Sequence, residues 1–341
     1  MEKWGSSDIS ALICKGRTTR TVMENSSDAK LPTGTYGFIG LGNMGYGMAM
    51  NVRKKMPPAS TLVVCELDQA RREEFCSEAK QYGKVETADT PKEVAEKSDT
   101  IITSLPHGPA VSKVFTDPLT GLLAASKSSA PKLFLETSTI EVSTSLKVLK
   151  AVEDSGLGDF LDAPVSGGIP PAANGTLTFM VGGPKQLFEQ ASPVMSLMGT
   201  KLFPCGNAGA GLATKQINNY IAYCSYIALC EGMNTGLKYG LDPRVLNDVI
   251  NASSGCCWNS LHMNPVKGVQ RDSSASRDFQ GGFKVELAKG VTDMAVQLMD
   301  EVGAKHVFGD VMKDIFARAV ESPLCAGHES RSVWRLFTVD D

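Results

Sequence analysis

Three glycines near the start of the chain have the spacing of a phosphate-binding loop. Gly40, Gly42 and Gly45 follow the apolar run "TYGFI" and precede a helical stretch. In such a loop the first glycine allows a tight turn, the second lets the backbone approach a pyrophosphate, and the third lets helix pack on strand. The free N–H groups of the helix then face the anion. The spacing predicts that this loop, with Asn43 and Met44, binds a dinucleotide.

A carboxylate follows this loop at the distance expected for a ribose ligand. The next apolar run, "TLVVCE", ends in Glu66, about 20 residues after Gly45. A carboxylate at this point accepts hydrogen bonds from ribose hydroxyls and repels a 2′-phosphate, which favours NAD over NADP. Arg71 and Arg72 follow one turn later and could hold a 2′-phosphate, but we expect them to form a solvated helix face.

Two further segments come directly after apolar runs. Leu105 and Pro106 follow "TIITS", and Ser138 and Thr139 follow "KLFLE". Ligands bind at the carboxyl ends of the strands in open parallel sheets, so all four residues are candidates to line the cofactor cleft. Ser138 and Thr139 could instead cap the helix predicted after them, and the two roles are compatible.

A glycine loop and a helical lysine complete the set of candidate residues. Ser166, Gly167 and Gly168 in "DAPVSGG" form a loop whose exposed amides suit a carboxylate or a phosphate. Lys215 and Asn219 lie four residues apart in "GAGLATKQINNY", which puts an amine and an amide on one helix face. A lone helical lysine is normally a solvated charge. This helix is otherwise apolar, so we expect burial to lower the pKa of Lys215 towards a range useful for acid–base catalysis.

The elements that must position these residues fall into two parts. Up to about residue 204, short apolar runs alternate with helical stretches, which predicts a mostly parallel sheet covered by helices on both faces. Beyond it the pattern is helical, and its first helix is long enough to be shared by both parts. We therefore predict an N-terminal extension over residues 1–33, a Rossmann-type α/β dinucleotide-binding domain over 34–204, and an all-α substrate and oligomerisation domain over 205–341.

Composition excludes several classes of function. The chain has 341 residues and a net charge of −3, which gives no electrostatic reason to bind nucleic acid or an anionic membrane. Its nine cysteines form no C-x-x-C pair and its four histidines are scattered, so we expect reduced thiols, an intracellular protein and no metal site. Residues 1–33 contain both basic and acidic residues, which leaves an organelle-targeting presequence and a disordered extension equally open. The predicted compartment is the mitochondrial matrix or the cytoplasm.

Taken in order, the motifs resemble those of the β-hydroxyacid dehydrogenases. "GFIGLGNMG", "STI", "DAPVSGG", "GLATKQINN" and "FQGGF" occur in this sequence, and the resemblance covers roughly residues 35–337. It implies that the glycine loop, Leu105 and Pro106 hold NAD and that Thr139 approaches the nicotinamide. It also implies that Lys289 in "ELAKG" closes the cofactor cleft from the helical domain.

The same resemblance implies an activity. Residues 166–168 would bind the carboxylate of a small β-hydroxy acid, Lys215 would be the acid–base group, and Asn219 would orient the substrate. The run Ser253–Val269 narrows the expected reaction to oxidation of 3-hydroxyisobutyrate to methylmalonate semialdehyde, a step of valine catabolism. A homodimer or homotetramer is also implied.

Four residues depart from the family pattern. Gly290 and Val291 follow Lys289 where the family usually has Asp and Leu, Cys256 replaces an Arg, and Ala110 replaces an Asn. These departures keep other functions open: a reductase of the tartronate semialdehyde type, an oxidoreductase of specialised metabolism, or a cofactor-binding module without catalysis. Asn218 stands where a 6-phosphogluconate dehydrogenase would carry His, which argues against that enzyme.

Overall fold

Nine strands pair into one sheet in the computed structural model, which describes residues 31–127 and 130–338. The strand order is β3-β2-β1-β4-β5-β6-β8-β7, with β9 beside β8. The strands are β1 (Thr35–Ile39), β2 (Thr61–Cys65), β3 (Val85–Thr87), β4 (Thr100–Thr103), β5 (Lys132–Glu136), β6 (Gly158–Asp162), β7 (Val165–Ser166), β8 (Leu177–Gly182) and β9 (Gly199–Gly206). Apart from its last three residues, the predicted extension over residues 1–33 lies outside the described residues.

Helices connect the strands and then form the second part of the chain. Those of the first part are α1 (Gly45–Lys55), α2 (Gln69–Ala79), α3 (Pro91–Lys97), α4 (Gly108–Thr116), α5 (Val142–Ser155), α6 (Ile169–Asn174) and α7 (Lys185–Met195). Those of the second part are α8 (Ala210–Tyr239), α9 (Pro243–Ala252), α10 (Trp258–His262), α11 (Val285–Glu301) and α12 (Gly309–Glu321). Short 3₁₀ turns lie at Lys80–Tyr82, Leu122–Ala124, Ser274–Arg277 and Ser330–Phe337.

The six strands β1 to β6 are parallel, and β1, β2, β4 and β5 are buried on both faces. Successive side chains of a strand point to opposite faces, and β2 shows the result: Leu62 and Val64 join one hydrophobic cluster, whereas Val63 joins the other. This is why these strands are almost continuously apolar rather than alternating. The predicted Rossmann-type fold followed by an all-α domain is confirmed. The pairs β6–β8 and β7–β8 are antiparallel.

The 30-residue helix α8 is shared between the two parts, as predicted. Its start packs on the sheet, where Leu212 is fully buried in the second cluster. Further along, Tyr226 and Met233 lie in a third cluster with the other C-terminal helices. The helix ends at Gly240, whose φ of 93° is a left-handed conformation that favours glycine.

The described residues contain neither a membrane-spanning helix nor a cluster of metal-binding side chains. None of the described helices combines the length and the apolar composition of a membrane span. Within the same residues, no three His, Cys, Asp or Glu side chains are grouped so that they could hold a metal ion.

Candidate active site

In the loop between β1 and α1, two of the three glycines pack closely against backbone atoms and the third borders open space. Gly40 has a φ of 94°, and a Cβ there would lie 2.2 Å from the carbonyl oxygen of Ser104. A Cβ on Gly45 would lie 2.0 Å from the carbonyl oxygen of Gly40. A Cβ on Gly42, which is exposed, would have no atom within 4 Å. The first and third glycines therefore serve packing, and the second leaves space for a pyrophosphate at the start of α1.

Glu66 lies next to this loop. Its Oε2 accepts a hydrogen bond from the backbone N–H of Leu41 at 2.5 Å, and its Oε1 accepts one from the N–H of Asp68 at 3.0 Å. The carboxylate is therefore fixed beside the glycine loop, where the sequence predicts a ribose ligand. The Glu66 carboxylate and the open space at Gly42 together fit a bound dinucleotide.

The expectation that Arg71 and Arg72 form a solvated helix face is wrong for Arg71. Its Nε donates to the carbonyl oxygen of Leu41 at 3.1 Å, and its guanidinium lies 4.0 Å from the centre of the Tyr46 ring. The fold brings these groups to it, because α2 lies beside the glycine loop and the start of α1. Arg72 instead forms an ion pair with Asp89 at the surface, at 2.9 Å.

The loops after β4 and β5 are joined through Ser138. Its Oγ accepts a hydrogen bond from the backbone N–H of Leu105 at 2.7 Å, so the two predicted cofactor-lining segments lie side by side. Helix α5 begins after Glu141, and no side chain caps its N-terminus. The predicted capping role of Ser138 and Thr139 is therefore wrong, because the Ser138 hydroxyl serves the neighbouring loop.

The buried carboxyl group of Glu136, at the end of β5, forms hydrogen bonds to residues beside this junction. Its Oε1 accepts from the N–H of Ser138 and its Oε2 from the hydroxyl of Thr103, both at 2.6 Å. Burial raises the pKa of Glu136 from 4.5 to about 7, and the negative charge of nearby Asp162 acts in the same direction. Sequence reasoning missed this residue, although "KLFLE" ends in a carboxylate just as "TLVVCE" does.

The glycine loop after β7 adjoins the helix of the dinucleotide loop. Gly167 and Gly168 are exposed, with φ values of 143° and 86°, and they lead into α6. Helix α1 packs closely on α6: the Nδ2 of Asn51 donates to the carbonyl oxygen of Ala172 at 2.9 Å. A Cβ on Gly47 would lie 2.8 Å from a backbone nitrogen of α6, so a glycine is needed for this approach.

Lys215 lies in the first two turns of α8 and is buried, with 8% of its surface exposed. Among the described residues none forms an ion pair or a hydrogen bond with its Nζ, and burial lowers its pKa from 10.5 to about 8. The adjacent residue, Gln216, donates to the carbonyl oxygen of Ile140 at 2.9 Å. Because Ile140 follows Thr139, the lysine and the Thr139 segment are brought together. Asn219 lies one turn further along and is half-buried.

Lys289 forms its ion pair within its own helix. Its Nζ forms an ion pair with Asp293 on the same helix at 2.7 Å, and the two side chains are 40% and 36% exposed. No hydrogen bond or ion pair between described residues joins Lys289 to the dinucleotide-binding part. Its helix, α11, does face the site, because Met294 and Gln297 line a small crevice with Glu141 and Gln216.

Two family models match this chain and together span the described core. The NAD binding domain of 6-phosphogluconate dehydrogenase matches residues 35–206, and the NAD-binding domain of NADP-dependent 3-hydroxyisobutyrate dehydrogenase matches residues 209–335. The first match ends and the second begins just before α8. The fold and the site therefore define an NAD-dependent oxidoreductase.

Individual relatives indicate which group of NAD-dependent oxidoreductases this chain is similar to. The chain is 40% identical over 266 residues to the mitochondrial 3-hydroxyisobutyrate dehydrogenase of Mus musculus, covering 78% of this chain and 75% of that one. It is 36% identical over 318 residues to the enzyme of the same name from Homo sapiens, covering 93% and 88%. A solved structure of Mycobacterium tuberculosis 3-hydroxyisobutyrate dehydrogenase with L-serine has 33% identity and a TM-score of 0.79, covering 90% and 100%. The chain belongs to the β-hydroxyacid dehydrogenase family, in its 3-hydroxyisobutyrate dehydrogenase group.

The open space at Gly42 generates a prediction about cofactor binding. In Gly42→Ala the added methyl group meets no protein atom, so we expect an unchanged melting temperature. The methyl group does occupy the space predicted for the pyrophosphate, so the dissociation constant for NADH should rise at least about tenfold. Fluorescence titration with NADH measures this. Gly232→Ala, on the exposed side of α8 and also without an atom within 4 Å, is the control and should bind NADH normally.

The buried carboxyl of Glu136 generates a prediction about pH and stability. When the pKa of a carboxyl group is higher in the folded chain than in the unfolded chain, the folded chain loses stability as pH rises from the unfolded-state pKa to the folded-state pKa. Glu136→Gln cannot titrate, and its amide keeps one acceptor oxygen and places an N–H₂ group at the position of the other. The free energy of unfolding of the variant, relative to wild type, should therefore increase by on the order of 3 kcal/mol between about pH 4.5 and about pH 7.

Urea unfolding followed by circular dichroism across this pH range measures the difference. The exposed Glu153→Gln variant is the control and should follow the wild type at every pH. A constant difference between Glu136→Gln and wild type would show that Glu136 has the same pKa in the folded and unfolded chains.

Proposed function

We propose that this enzyme oxidises 3-hydroxyisobutyrate to methylmalonate semialdehyde with NAD as the electron acceptor. The observation that carries the proposal is the buried amine of Lys215, without an ion-pair partner among the described residues, on a helix whose next residue, Gln216, binds the carbonyl oxygen of Ile140 beside Thr139. The relatives named 3-hydroxyisobutyrate dehydrogenase support the choice of substrate. NAD, when bound, supplies the acceptor for the hydride that leaves the carbon bearing the hydroxyl group.

In this proposal the residues of the chain bind the acid and remove one proton. The amides of Gly167 and Gly168 and the hydroxyl of Ser166 bind the substrate carboxylate, because the two glycines are exposed and Ser166 is half-buried in the loop beside the helix of the dinucleotide loop. The Nζ of Lys215 accepts the hydroxyl proton, and the amide of Asn219 orients the substrate. A lysine with a pKa near 8 is neutral in a useful fraction of molecules, whereas an ordinary lysine is not.

The geometry around Glu66 favours NAD over NADP in this proposal. The carboxylate is fixed beside the glycine loop, where it would accept from ribose hydroxyls and repel a 2′-phosphate. Arg71, the cation nearest in sequence, is engaged with Leu41 and Tyr46 and also pairs with Glu74. A 2′-phosphate would therefore have to displace these contacts of Arg71.

The first experiment is a steady-state assay of NADH and NADPH formation with a panel of acids. The panel contains 3-hydroxyisobutyrate, 3-hydroxypropionate, serine and glycerate, each with NAD⁺ and with NADP⁺. The proposal expects the highest kcat/KM for 3-hydroxyisobutyrate with NAD⁺. A higher value for glycerate would instead support the tartronate semialdehyde type of reductase. Absence of turnover on every acid, with NADH still bound, would overturn the assigned substrate.

The buried lysine generates a prediction about rate and pH. Lys215→Met should lower kcat by about 10²- to 10⁴-fold, the usual contribution of a general acid–base group, while NADH binding is retained. The neutral amine is the active form in oxidation, so wild-type kcat/KM should rise with pH up to about pH 8 and level off above it. The exposed Lys147→Met variant is the control and should behave like wild type. A Lys215→Met enzyme with near-normal kcat would rule out this role.

We also propose that the chain forms a homodimer or homotetramer through its helical part. Apolar side chains are exposed on two of its helices: Ile217 and Ile221 on α8, and Val245 and Val249 on α9. Exposed apolar side chains grouped on helices commonly mark surfaces that are buried on association. Sedimentation velocity should give two or four chains per particle, and replacing Val245 and Val249 together by Ser should shift the distribution to smaller species.

For the compartment, we propose the mitochondrion, because the Mus musculus and Homo sapiens relatives are named as mitochondrial enzymes. Fractionation of cells that express the full-length chain, with detection of the protein in mitochondria and cytosol, distinguishes the two predicted locations.

A further inference from the structure

Asp162 joins the sheet to the helix that carries Lys215. It is the last residue of β6 and is fully buried. Its Oδ1 accepts from the backbone N–H of Gly209 at 2.7 Å, and its Oδ2 accepts from the N–H of Leu212 at 2.9 Å. The first N–H groups of a helix have no acceptor within the helix, and here the helix begins inside the protein. The side chain of Asp162 supplies acceptors for two of these N–H groups.

Two glycines hold the carboxylate in place. Gly182 is the register partner of Asp162 on β8, and a Cβ there would lie 2.4 Å from Oδ1. The three atoms nearest to that Cβ all belong to the Asp162 carboxyl group. A Cβ on Gly211 would lie 2.8 Å from Oδ2 and 2.4 Å from the carbonyl oxygen of Met180. The carboxylate therefore occupies space that any larger residue at position 182 would take.

A chain of contacts leads from Asp162 to both sides of the site. Towards the helical part, Lys215 is one turn beyond Leu212, whose N–H the carboxylate binds. Towards the cofactor cleft, Asp162 pairs in register with Glu136 on the neighbouring strand. Glu136 in turn binds Ser138, and Ser138 binds Leu105.

We propose that Asp162 is a positioning residue for Lys215. By binding the start of α8, its carboxylate fixes the distance between the lysine and the loop segment around Thr139. The proposal rests on the acid–base role proposed for Lys215. It adds that this role depends on a residue of the dinucleotide-binding part that does not itself touch the substrate. An amide cannot replace the carboxylate, because both oxygens accept hydrogen bonds and an asparagine side chain has only one acceptor.

The chain contains a matched control in Asp242, which caps α9. There a single oxygen, Oδ1, accepts from the N–H groups of Arg244 at 2.8 Å and Val245 at 3.4 Å. Asp242→Asn therefore keeps both hydrogen bonds, whereas Asp162→Asn loses one and places an N–H₂ group against a donor. Gly182→Ala is a second test, because it displaces the Asp162 carboxylate without removing it.

The experiment compares four variants of the full-length enzyme: Asp162→Asn, Gly182→Ala, Asp242→Asn and Lys215→Met. Steady-state kinetics gives kcat and KM, fluorescence titration gives the NADH dissociation constant, and hydrogen exchange with mass spectrometry reports on residues 210–216. We expect Asp162→Asn and Gly182→Ala to lower kcat at least about tenfold. The NADH dissociation constant should stay within about threefold of wild type, since the glycine loop is untouched. Exchange should become faster at residues 210–216 in both variants, and Asp242→Asn should match wild type throughout.

The outcomes separate this proposal from the proposed function. If Lys215→Met keeps normal kcat, the role of the lysine itself is wrong. If Lys215→Met is inactive but Asp162→Asn and Gly182→Ala keep normal kcat, the lysine role stands and the positioning role of Asp162 is overturned. If NADH affinity falls as much as kcat, Asp162 supports the whole domain rather than the lysine. Should Asp162→Asn fail to fold, Gly182→Ala, which retains the carboxylate, decides alone.

Discussion

The buried start of α8 is the constraint on which the arrangement of the site depends. A helix that begins at the surface can leave its first N–H groups to water, but α8 begins against the ends of β6 and β8, where an unpaired N–H costs about 1–3 kcal/mol. The protein meets this requirement with the carboxylate of Asp162, and the glycines around it leave room for that group. The direction of the long helix, and with it the position of Lys215, follows from this junction.

The same burial that organises the site favours the neutral forms of its titratable groups. Burial raises the pKa of Glu136 to about 7 and lowers that of Lys215 to about 8. No ion pair joins these two residues, so neither charge offsets the desolvation of the other. The acid is held by hydrogen bonds from Thr103 and Ser138, whereas the amine has no such partner among the described residues. The carboxyl group of Glu136 thus supports the loops, whereas the amine of Lys215 is buried without a hydrogen-bond partner among the described residues.

A feature of the fold or the site could be predicted from the sequence when residues close together in the chain determine it. The glycine loop and Glu66 could be predicted because one strand–loop–helix unit fixes their spacing. The strands of three and two residues, β3 and β7, were missed because such short segments carry no periodic pattern. The roles of Glu136 and Asp162 depend on which strands are neighbours in the sheet. The capping role given as an alternative for Ser138 is wrong for the same reason, since its hydrogen-bond partner, Leu105, belongs to another loop.

The departure at Gly290 can also be understood only from the helix that contains it. A glycine weakens a helix by up to about 1 kcal/mol relative to alanine, yet α11 continues without a break for 17 residues. A Cβ on Gly290 would have no atom within 4 Å, so no packing is lost there. The carboxylate that the family usually has at this position is absent, but Asp293 lies one turn beyond Lys289 and pairs with it. The family resemblance implies that Lys289 closes the cofactor cleft, and in the described structure its amine pairs with Asp293 on the same helix. If Lys289 left this pair to contact a cofactor, the free energy of the ion pair would be subtracted from the affinity that the new contact supplies.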